Sequence, residues 1–537
     1  MRDVSPHHPW LRVGVVALAA PSCQFLPEIL HRVIQDGGGP APAIFYNNDV
    51  WSFDDLVERS RQLGSKAALL SEPGDRIAIL GANHPDWISA YYGIPEYGRV
   101  LCFLNYRLSS VEIIEQINRS EAKVLIARRE DVEGLQQDVA SLQGSIEIIY
   151  FGEPLDEKIA PPDVVLNPED PAWILFTSGT TGKPKGVFLS HTNLFAAISA
   201  SENARPVSDG DVYAFPFPLC HVAGYSVLRN QCFGRPVVIF DRYDPREFVD
   251  LVERHQINST VMAATMLASL MLHLENEPRD VVRLSSLTKL NYGAAPMPAT
   301  LLRSSYDLLH VEFSQGFGMT ELAGNALFLD AHDHQQGFDQ DATLLSTTGR
   351  PGPGVEARLL DTQGNEVPLG EPGELTIRSA QVTQGYLDDE SGTEATLVDG
   401  WLKTGDLAVE RPDGIYQIVD RLKDVIVTGG ENVSSLEVEN ALRVHCPEIR
   451  DVAVIGTPDS VWGENVCAII ILNEGTSLSI NEIAQRLSGT LANFKIPRHL
   501  IITDEFPLTH SGKVEKSGLR SWIATTPGVL GERRGGG

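Results

Sequence analysis

Cysteine is scarce in this chain, and its spacing argues against two kinds of site. The 537 residues include six cysteines, and none of them forms a Cys-x-x-Cys pair. Such pairs are typical of structural zinc sites, and a disulfide framework needs a denser pattern. Neither site is therefore expected, and the sequence predicts a protein of the reducing cytoplasm.

Long hydrophobic runs are also missing. A helix that crosses a bilayer needs roughly 20 consecutive apolar residues, and no segment of the sequence provides them. The run from Leu11 to Ala20 resembles the core of a signal peptide only faintly. Residues 1–22 are therefore predicted to be an N-terminal extension.

Positive charge is in short supply. Lysine and arginine total 43 against 71 aspartate and glutamate residues, which gives a net charge of −28. Such a chain would repel nucleic acids and anionic membrane surfaces, so no nucleic-acid partner is expected. A small anionic ligand would need a local pocket of cationic side chains and backbone N–H groups. The basic candidates for that pocket are Lys183, Lys185, Arg421, Lys495, Arg498 and Lys513.

Apolar strands alternate with helical patterns over most of the chain. Runs such as Arg76 to Leu80 and Ala172 to Phe176 indicate buried strands, and Asp244 to His255 has helical spacing. This alternation predicts an α/β fold with parallel-rich sheets. From about residue 345 short strands are separated by Gly, Pro and Asp turns, which predicts a small β-rich subdomain.

The sequence predicts four segments in chain order. After the extension, residues 23–422 form a large N-terminal domain whose β-rich part spans about 345–422. Residues 423–523 form a small, mobile α+β domain, with a helix predicted from Asn481 to Asn493, and residues 524–537 form a flexible tail. The charged stretch from Asp420 to Asp424 is predicted to be the hinge between the two domains.

The densest local signal is TSGTTGKPKG, Thr177 to Gly186, which lies between two apolar strands. Its glycines let a ligand approach the backbone, and its hydroxyls, N–H groups and lysines suit a polyphosphate. It is not a Walker P-loop, because only two residues separate Gly179 from Gly182 and Pro184 follows the lysine. The segment therefore predicts a phosphate-binding turn of another kind.

Further motifs follow in an order that resembles the adenylate-forming superfamily, which contains acyl-CoA synthetases, peptide-synthetase adenylation domains and beetle luciferases. The resemblance covers about Phe25 to Trp522 and is strongest to fatty-acid or medium-chain acyl-CoA ligases. The motifs are FPLCHVAG (Phe217 to Gly224), YGAAPMP (Tyr292 to Pro298), QGFGMTE (Gln315 to Glu321), TGD (Thr404 to Asp406), DRLKDVIVTGGENVSSLEVE (Asp420 to Glu439), FKIPR (Phe494 to Arg498) and PLTHSGK (Pro507 to Lys513).

The resemblance implies a nucleotide site. Thr320 would offer its hydroxyl to an α-phosphate, and Glu321 would be the ligand of Mg²⁺. Phe317 stands where the family usually has tyrosine, so its ring can stack on adenine but a phenolic hydrogen bond is lost. Asp406 and Arg421 would hold the ribose hydroxyls. The implied ATP- and AMP-binding residues are Thr177, Ser178, Gly179, Thr180, Thr181, Gly182, Lys185, Ala294, Ala295, Gln315, Gly316, Phe317, Gly318, Met319, Thr320, Asp406 and Arg421.

The resemblance also implies the catalytic and coenzyme A-binding residues. Lys513 would be the catalytic lysine, because its ammonium offsets the repulsion between a carboxylate and a phosphate. His221 would lie where the acyl group meets the thiol, although a histidine among apolar residues is as often a core residue. The implied catalytic set is Lys513, His221, Thr320 and Glu321. Lys423 matches the hinge of a swinging domain, and the implied coenzyme A tunnel is lined by Gly429, Gly430 and Glu431.

Together the motifs predict an acid:CoA ligase that uses ATP, Mg²⁺ and coenzyme A and forms an acyl-adenylate. The predicted acid is a medium- or long-chain fatty acid, because the pocket segments are apolar and rich in small residues. Gly293, Gly316 and Gly324 are among these small residues, although they would equally suit tight backbone packing. An aromatic or sterol-derived acid is the alternative, and a homodimer is an open prediction.

Rival functions share this scaffold. A peptide-synthetase-like module would carry an aspartate for the substrate amine in the segment FPFPLCHVAG, which lacks one. A ligase that loads a carrier protein and a luciferase-type oxygenase share the adenylation motifs and stay open. A non-catalytic binding protein is disfavoured, because the key groups are all retained: Lys185, Thr320, Glu321, Asp406, Arg421 and Lys513.

Overall fold

The computed structural model describes residues 23–135, 146–155, 164–177, 184–293, 295, 297–459, 462–509, 513–526, 528–530 and 532–534. The chain divides into two compact units. Unit 1 comprises Met1–Val355 and Ser379–Glu390, and unit 2 comprises Glu356–Arg378 and Ser391–Gly537. The domain boundaries expected from the sequence, including the one at residue 423, stay predictions.

Unit 1 alternates strands and helices. Its described strands are β1 (Pro42–Tyr46), β2 (Asp49–Ser52), β3 (Arg76–Leu80), β4 (Val100–Leu104), β5 (Val124–Ala127), β6 (Glu147–Tyr150), β7 (Pro171–Thr177), β8 (Lys185–Ser190), β9 (Tyr213–Phe215), β10 (Val237–Ile239), β11 (Ser259–Met262), β12 (Lys289–Gly293), β13 (Glu312–Met319), β14 (Gly324–Leu329) and β15 (Arg350–Pro351). Its described helices are α1 (Leu26–Gln35), α2 (Phe53–Leu69), α3 (Pro85–Glu96), α4 (Ser110–Ser120), α5 (Arg129–Leu135), α6 (His191–Ala200), α7 (Tyr225–Cys232), α8 (Pro245–His255), α9 (Ala264–Asn276), α10 (Asp280–Arg283), α11 (Ala299–Leu309) and α12 (Ala331–Asp339).

The first sheet of unit 1 has the strand order β6–β5–β3–β4–β7–β8. All neighbouring strands are parallel except β7 and β8, which form a hairpin. Every residue of β4 is buried, as are four of the five residues of β3, which is expected where helices cover both faces of a parallel sheet. The sequence-predicted strands from Arg76 to Leu80 and from Ala172 to Phe176 are β3 and the centre of β7.

The second sheet has the order β15–β14–β13–β12–β11–β9–β10–β1–β2, and it is parallel from β13 to β1. The carboxyl ends of parallel strands meet at one edge of a sheet, where ligands of α/β proteins usually bind. FPLCHVAG follows the end of β9, YGAAPMP begins in the last residues of β12, and QGFGMTE runs through the second half of β13 and past its end. This topology therefore brings FPLCHVAG, YGAAPMP and QGFGMTE to one edge. The α/β fold class with parallel-rich sheets is confirmed.

Unit 2 is richer in antiparallel pairing. Its described elements, some with an end residue in unit 1, are β16 (Val355–Leu360), β17 (Gly373–Ser379), α13 (Glu390–Thr396), β18 (Leu397–Val398), β19 (Trp401–Glu410), β20 (Tyr416–Arg421), β21 (Ile426–Thr428), β22 (Glu431–Val433), α14 (Ser435–His445), β23 (Ile449–Asp459), β24 (Gly463–Leu472), α15 (Ile480–Leu487), β25 (His499–Ile502), α16 (Lys516–Thr525) and β26 (Glu532–Arg533). The strands β16 to β20 form one sheet, in which β17, β18 and β20 each pair antiparallel with β19. The strands β21 to β26 form the other.

One predicted element is shorter than expected. The helix predicted from Asn481 to Asn493 is α15, which ends at Leu487. Ser488 is extended, and Gly489 then has φ of +89°, a conformation that few other residues adopt. Gly489 therefore ends the helix in a turn before the apolar spacing ends.

The cysteines are free thiols, and five of the six are buried while Cys23 is partly exposed. Burial raises the pKa of the thiols of Cys102, Cys220 and Cys467 to about 12. None of the helices in the described ranges combines the length and hydrophobicity needed to cross a membrane.

Candidate active site

The segment predicted to bind phosphate, Thr177 to Gly186, begins at the end of β7 and ends in β8. Thr177 lies opposite Lys185 in the ladder, and its hydroxyl donates to the carbonyl of Lys185 over 3.4 Å. The predicted residues Ser178, Gly179, Thr180, Thr181 and Gly182, together with Lys183, lie outside the described residues. The structure therefore fixes the two ends of the segment, and its role stays a prediction.

Lys185 and Glu321 are brought together by Tyr386, a residue that the sequence analysis missed. The Lys185 ammonium is 4.3 Å from the centre of the Tyr386 ring and 3.2 Å from Oδ2 of Asp389. The Tyr386 hydroxyl donates to Oε1 of Glu321 over 3.0 Å. The backbone N–H of Leu387 donates to the carbonyl of Gly186, which fixes this segment against β8. A cation and a carboxylate thus contact the same tyrosine, the cation at its ring and the carboxylate at its hydroxyl.

Thr320 and Glu321 lie in a short 3₁₀ helix between β13 and β14, and Glu321 is 7% exposed. The hairpin is tightly packed, because a Cβ at Gly318 would overlap the carbonyl oxygen of Gly324. A Cβ at Gly316 would lie 2.8 Å from a guanidinium nitrogen of Arg205. Of the two interpretations of these small residues, the structure supports close packing.

The other predicted residues of this edge occupy β13 and the end of β12. Gln315 has a buried Oε1 without a hydrogen-bond partner among the described residues, which leaves an acceptor for a ligand N–H group. Phe317 and Met319 are partly exposed. Ala295 lies in a bend after β12, whereas Ala294 lies outside the described residues. The adenine contact predicted for Phe317 stays a prediction.

His221 precedes the 3₁₀ turn Val222–Gly224 that leads into α7. It is partly exposed, and its backbone N–H donates to the carbonyl of Pro218. Its motif follows β9, so His221 belongs to the same sheet edge as Thr320. Its contact with an acyl group stays a prediction.

Unit 2 holds the second group of predicted residues. Asp406 of β19 lies opposite Arg421 of β20, and Nε of Arg421 is 2.7 Å from Oδ1 of Asp406. Asp406 is 3% exposed, and its other oxygen, Oδ2, has no hydrogen-bond partner among the described residues. Burial raises the pKa of Asp406 to about 6, although Arg421 and Lys513 oppose the shift. An unsatisfied buried oxygen is costly, and a hydroxyl donor would satisfy it.

Lys513 belongs to this group. Its backbone N–H donates to the hydroxyl of Thr509 over 3.1 Å, and Leu508 bridges to Val514. Lys513 is exposed overall. Desolvation of its side chain nevertheless lowers the pKa of the ammonium. The nearby Arg421 lowers this pKa as well, whereas Asp406 raises it. A lysine, an arginine and a carboxylate from three separate motifs therefore converge in unit 2.

The predicted hinge and tunnel residues follow β20. Lys423 is exposed between β20 and β21. Gly429 and Gly430 have φ of +62° and +85° and form the turn of the β21–β22 hairpin, which a two-residue loop of this kind requires. Gly429 also packs against the Trp462 ring, because a Cβ there would lie 2.8 Å from Cε3. The turn explains both glycines, and the coenzyme A role of the pair and of Glu431 stays a prediction.

Comparison with known proteins shows which protein family the sequence matches. The sequence profile of the AMP-binding enzyme family matches residues 33–387, and that of the AMP-binding enzyme C-terminal domain matches residues 437–513. A feruloyl-CoA synthase from an Amycolatopsis species is 34% identical over 486 residues, which are 89% of this chain and 95% of that protein. A fatty acid–[acyl-carrier-protein] ligase from Streptomyces coeruleorubidus is 32% identical over 494 residues, 89% and 93% of the two chains.

Solved structures of similar fold cover most of the chain. The o-succinylbenzoate CoA synthetase from Bacillus subtilis, in complex with its acyl-adenylate intermediate, matches with a TM-score of 0.80 and 26% identity over 94% of this chain and 98% of that chain. The same enzyme in complex with ATP and a magnesium ion matches with a TM-score of 0.79 and 25% identity over 92% and 98%.

Proposed function

This chain belongs to the AMP-binding enzyme family, and on that basis we propose that it joins a carboxylic acid to coenzyme A at the expense of ATP. In the first step a carboxylate oxygen attacks the α-phosphorus, which forms an acyl-adenylate and releases pyrophosphate. In the second step the coenzyme A thiol, losing its proton, attacks the acyl carbon. The acyl–phosphate bond breaks, and AMP leaves with that electron pair.

The observation that carries this proposal is the group of Asp406, Arg421 and Lys513. The unsatisfied Oδ2 of Asp406 is an acceptor suited to the hydroxyls of a ribose, with Arg421 holding the other oxygen. Lys513 supplies the ammonium that two mutually repelling anions need before they can react. In unit 1, Lys185 and Thr320 supply a cation and a hydroxyl for the phosphates.

Magnesium fits the site through Glu321. No cluster of three or more metal-ligating side chains occurs among the residues that the structure covers, so a metal caged by protein alone is not expected there. Mg²⁺ usually takes one or two carboxylates and completes its shell with water and substrate phosphates. The buried carboxylate of Glu321, oriented by Tyr386, provides one such ligand. Bound there, the ion would neutralise phosphate charge.

Adenosine binding is expected to tighten as pH rises through about 6, because hydroxyl donors favour the ionised form of Asp406. The free carboxyl is protonated below its raised pKa, so binding must release that proton. The dissociation constant should then fall about tenfold per pH unit below 6 and level off above it. Titration calorimetry between about pH 5 and pH 8 measures this, and adenosine is chosen because it lacks a phosphate that titrates in the same range.

The Asp406→Asn variant is the control for this experiment. It should bind adenosine weakly and with little pH dependence. A wild-type affinity that does not change with pH would remove Asp406 from the ribose contact.

The identity of the acid is a finer proposal. The relatives are named for feruloyl, fatty acyl and o-succinylbenzoyl groups, so family membership does not select among them. A medium- or long-chain fatty acid stays the prediction from the sequence, with an aromatic or sterol-derived acid beside it. Cytoplasmic location and a homodimer also stay predictions.

The deciding experiment is a pyrophosphate-release screen over varied carboxylic acids, with and without coenzyme A. We expect acid-dependent release, followed by AMP and a thioester once coenzyme A is added. A carrier-protein ligase is the second candidate, since one relative is named for that acceptor. Replacing coenzyme A by holo-acyl carrier protein with the same acid separates the two. Protein that releases no pyrophosphate with any acid would refute the proposal.

A further inference from the structure

Two arginines of unit 1 are buried and have no carboxylate partner among the residues that the structure describes. Arg229 is 5% exposed and Arg205 is 8% exposed. Across the described part of the chain, neither forms an ion pair, and the Nε atom of each is buried without a hydrogen bond. Arg205 donates to the carbonyls of Tyr292 and Ser314, whereas Arg229 donates to no described residue. Arginine is seldom buried without a partner, so Arg229 requires an explanation.

The charged neighbours of Arg229 do not neutralise it. Arg205 repels it, and Asp211 is already held at 3.0 Å by the ammonium of Lys289. Burial lowers the pKa of Arg229, with the nearby Tyr225 and Tyr213 opposing the shift. The guanidinium nevertheless stays charged, because arginine does not lose its proton in proteins. Among the residues that the structure describes, Arg229 therefore has no carboxylate paired with it inside unit 1.

The position of Arg229 connects it with the candidate site. Helix α7 begins immediately after the FPLCHVAG motif, and its first residue, Tyr225, packs against Gly324, where a Cβ would lie 2.8 Å from Cε1 of the ring. Gly324 pairs with Met319, the residue before Thr320. Arg229 is four residues after Tyr225 and so lies on the same face of α7.

Arg205 approaches the same hairpin from another side. One of its guanidinium nitrogens lies 2.8 Å from the position of a Cβ at Gly316. Arg205 is thus next to the β13–β14 hairpin that carries Thr320 and Glu321. Arg229 is about one helical turn from Tyr225, which packs against the same hairpin. All of these residues belong to unit 1.

A plain fatty acid does not account for this cation. Its chain is apolar and would leave the guanidinium uncompensated. The reacting carboxylate cannot remain the counter-ion through both steps, because it loses its charge when it becomes the anhydride. A second anion on the same substrate would keep its charge throughout, and a guanidinium binds a carboxylate through two parallel hydrogen bonds.

We propose that the substrate acid carries a second anionic group, in the first place a carboxylate, and that Arg229 binds it with Arg205 close by. This rests on the proposed ligase function and replaces the plain fatty acid expected from the sequence. The substrate class is then a dicarboxylic or similarly anionic acid.

The test compares matched pairs of acids in the pyrophosphate-release assay: adipate with hexanoate, suberate with octanoate, and terephthalate with 4-methylbenzoate. The wild type is expected to favour the diacid of at least one pair by about 100-fold or more in kcat/KM, since a buried polar group left unpaired is strongly penalised. In Arg229→Met that ratio should fall about 100-fold or reverse. Arg246→Met, at an exposed arginine of α8, is the matched control and should keep the ratio.

A conservative variant, Arg229→Lys, and a binding measurement on the wild type keep the inference testable if Arg229→Met fails to fold. Lysine keeps the charge but loses the two parallel bonds, so the diacid preference should fall by about tenfold. The diacid should also raise the thermal midpoint of the wild type more than its matched monoacid does. A wild type that prefers the monoacid of every pair, or an Arg229→Met variant that loses both acids equally, overturns the inference. Turnover of monoacids alone would leave the ligase proposal standing, whereas no turnover of any acid would refute that proposal.

Discussion

The Lys513→Ala variant is expected to lose acid-dependent pyrophosphate release by about 100-fold to 1,000-fold, the usual cost of removing a group that stabilises developing charge. The carboxylate and the α-phosphate repel each other, and the Lys513 ammonium offsets that repulsion. The second step does not need this ammonium. Its nucleophile attacks an acyl carbon and not a charged phosphate, and the leaving AMP is a stable phosphate anion. Thioester formation from supplied acyl-adenylate should therefore stay close to the wild-type rate.

The control for Lys513→Ala is an exposed lysine that has no proposed role in catalysis. Lys403 of β19 lies in the same unit and is exposed, so Lys403→Ala should leave both steps near wild type. Equal loss of the two steps in Lys513→Ala would mean that the residue supports the fold or a shared binding step. That result would withdraw its assignment to adenylation.

The Glu321→Gln variant is expected to need a much higher magnesium concentration and to release pyrophosphate about 100-fold more slowly. The amide keeps the shape of the side chain but lacks the negative charge that a hard cation prefers. A titration of the initial rate against Mg²⁺ at saturating ATP measures both effects. Raising the magnesium concentration should recover part of the rate.

The Tyr386→Phe variant tests how much the hydrogen bond from Tyr386 contributes to the role of the Glu321 carboxylate. It removes the hydroxyl that donates to Oε1 of Glu321 but leaves the charge and the ring beneath Lys185. Its loss should be smaller than that of Glu321→Gln, on the order of tenfold, in line with one hydrogen bond donated to a charged carboxylate. If Glu321→Gln showed an unchanged magnesium requirement, another group would have to hold the ion.

Much of the fold was predictable from local patterns. The buried strand β3 and the helix α8, which begins after Asp244, appear in the sequence because burial on both faces and helix capping leave local signals. The end of α15 was wrong because the apolar spacing continues past the turn at Gly489, and backbone conformation overrides spacing.

The candidate site was less predictable. Motif order placed Asp406, Arg421 and Lys513 in one function, and the structure brings these three together within unit 2. Tyr386 was missed, because it is 65 residues from Glu321 and only the folded chain shows that they touch. Arg229 was missed for a related reason. The polar string YSVLRNQC does not indicate a buried helix, yet every residue of α7 is buried.

The buried thiols have a practical consequence for measuring the second step. Ellman's reagent detects free coenzyme A by reacting with its thiolate, and it would report protein thiols as well if they were accessible. Here the thiols of Cys102, Cys220 and Cys467 are shielded and held in the protonated, unreactive form, which leaves Cys23 as the partly exposed one. A Cys23→Ser protein should therefore allow coenzyme A consumption to be followed colorimetrically against a low, constant background.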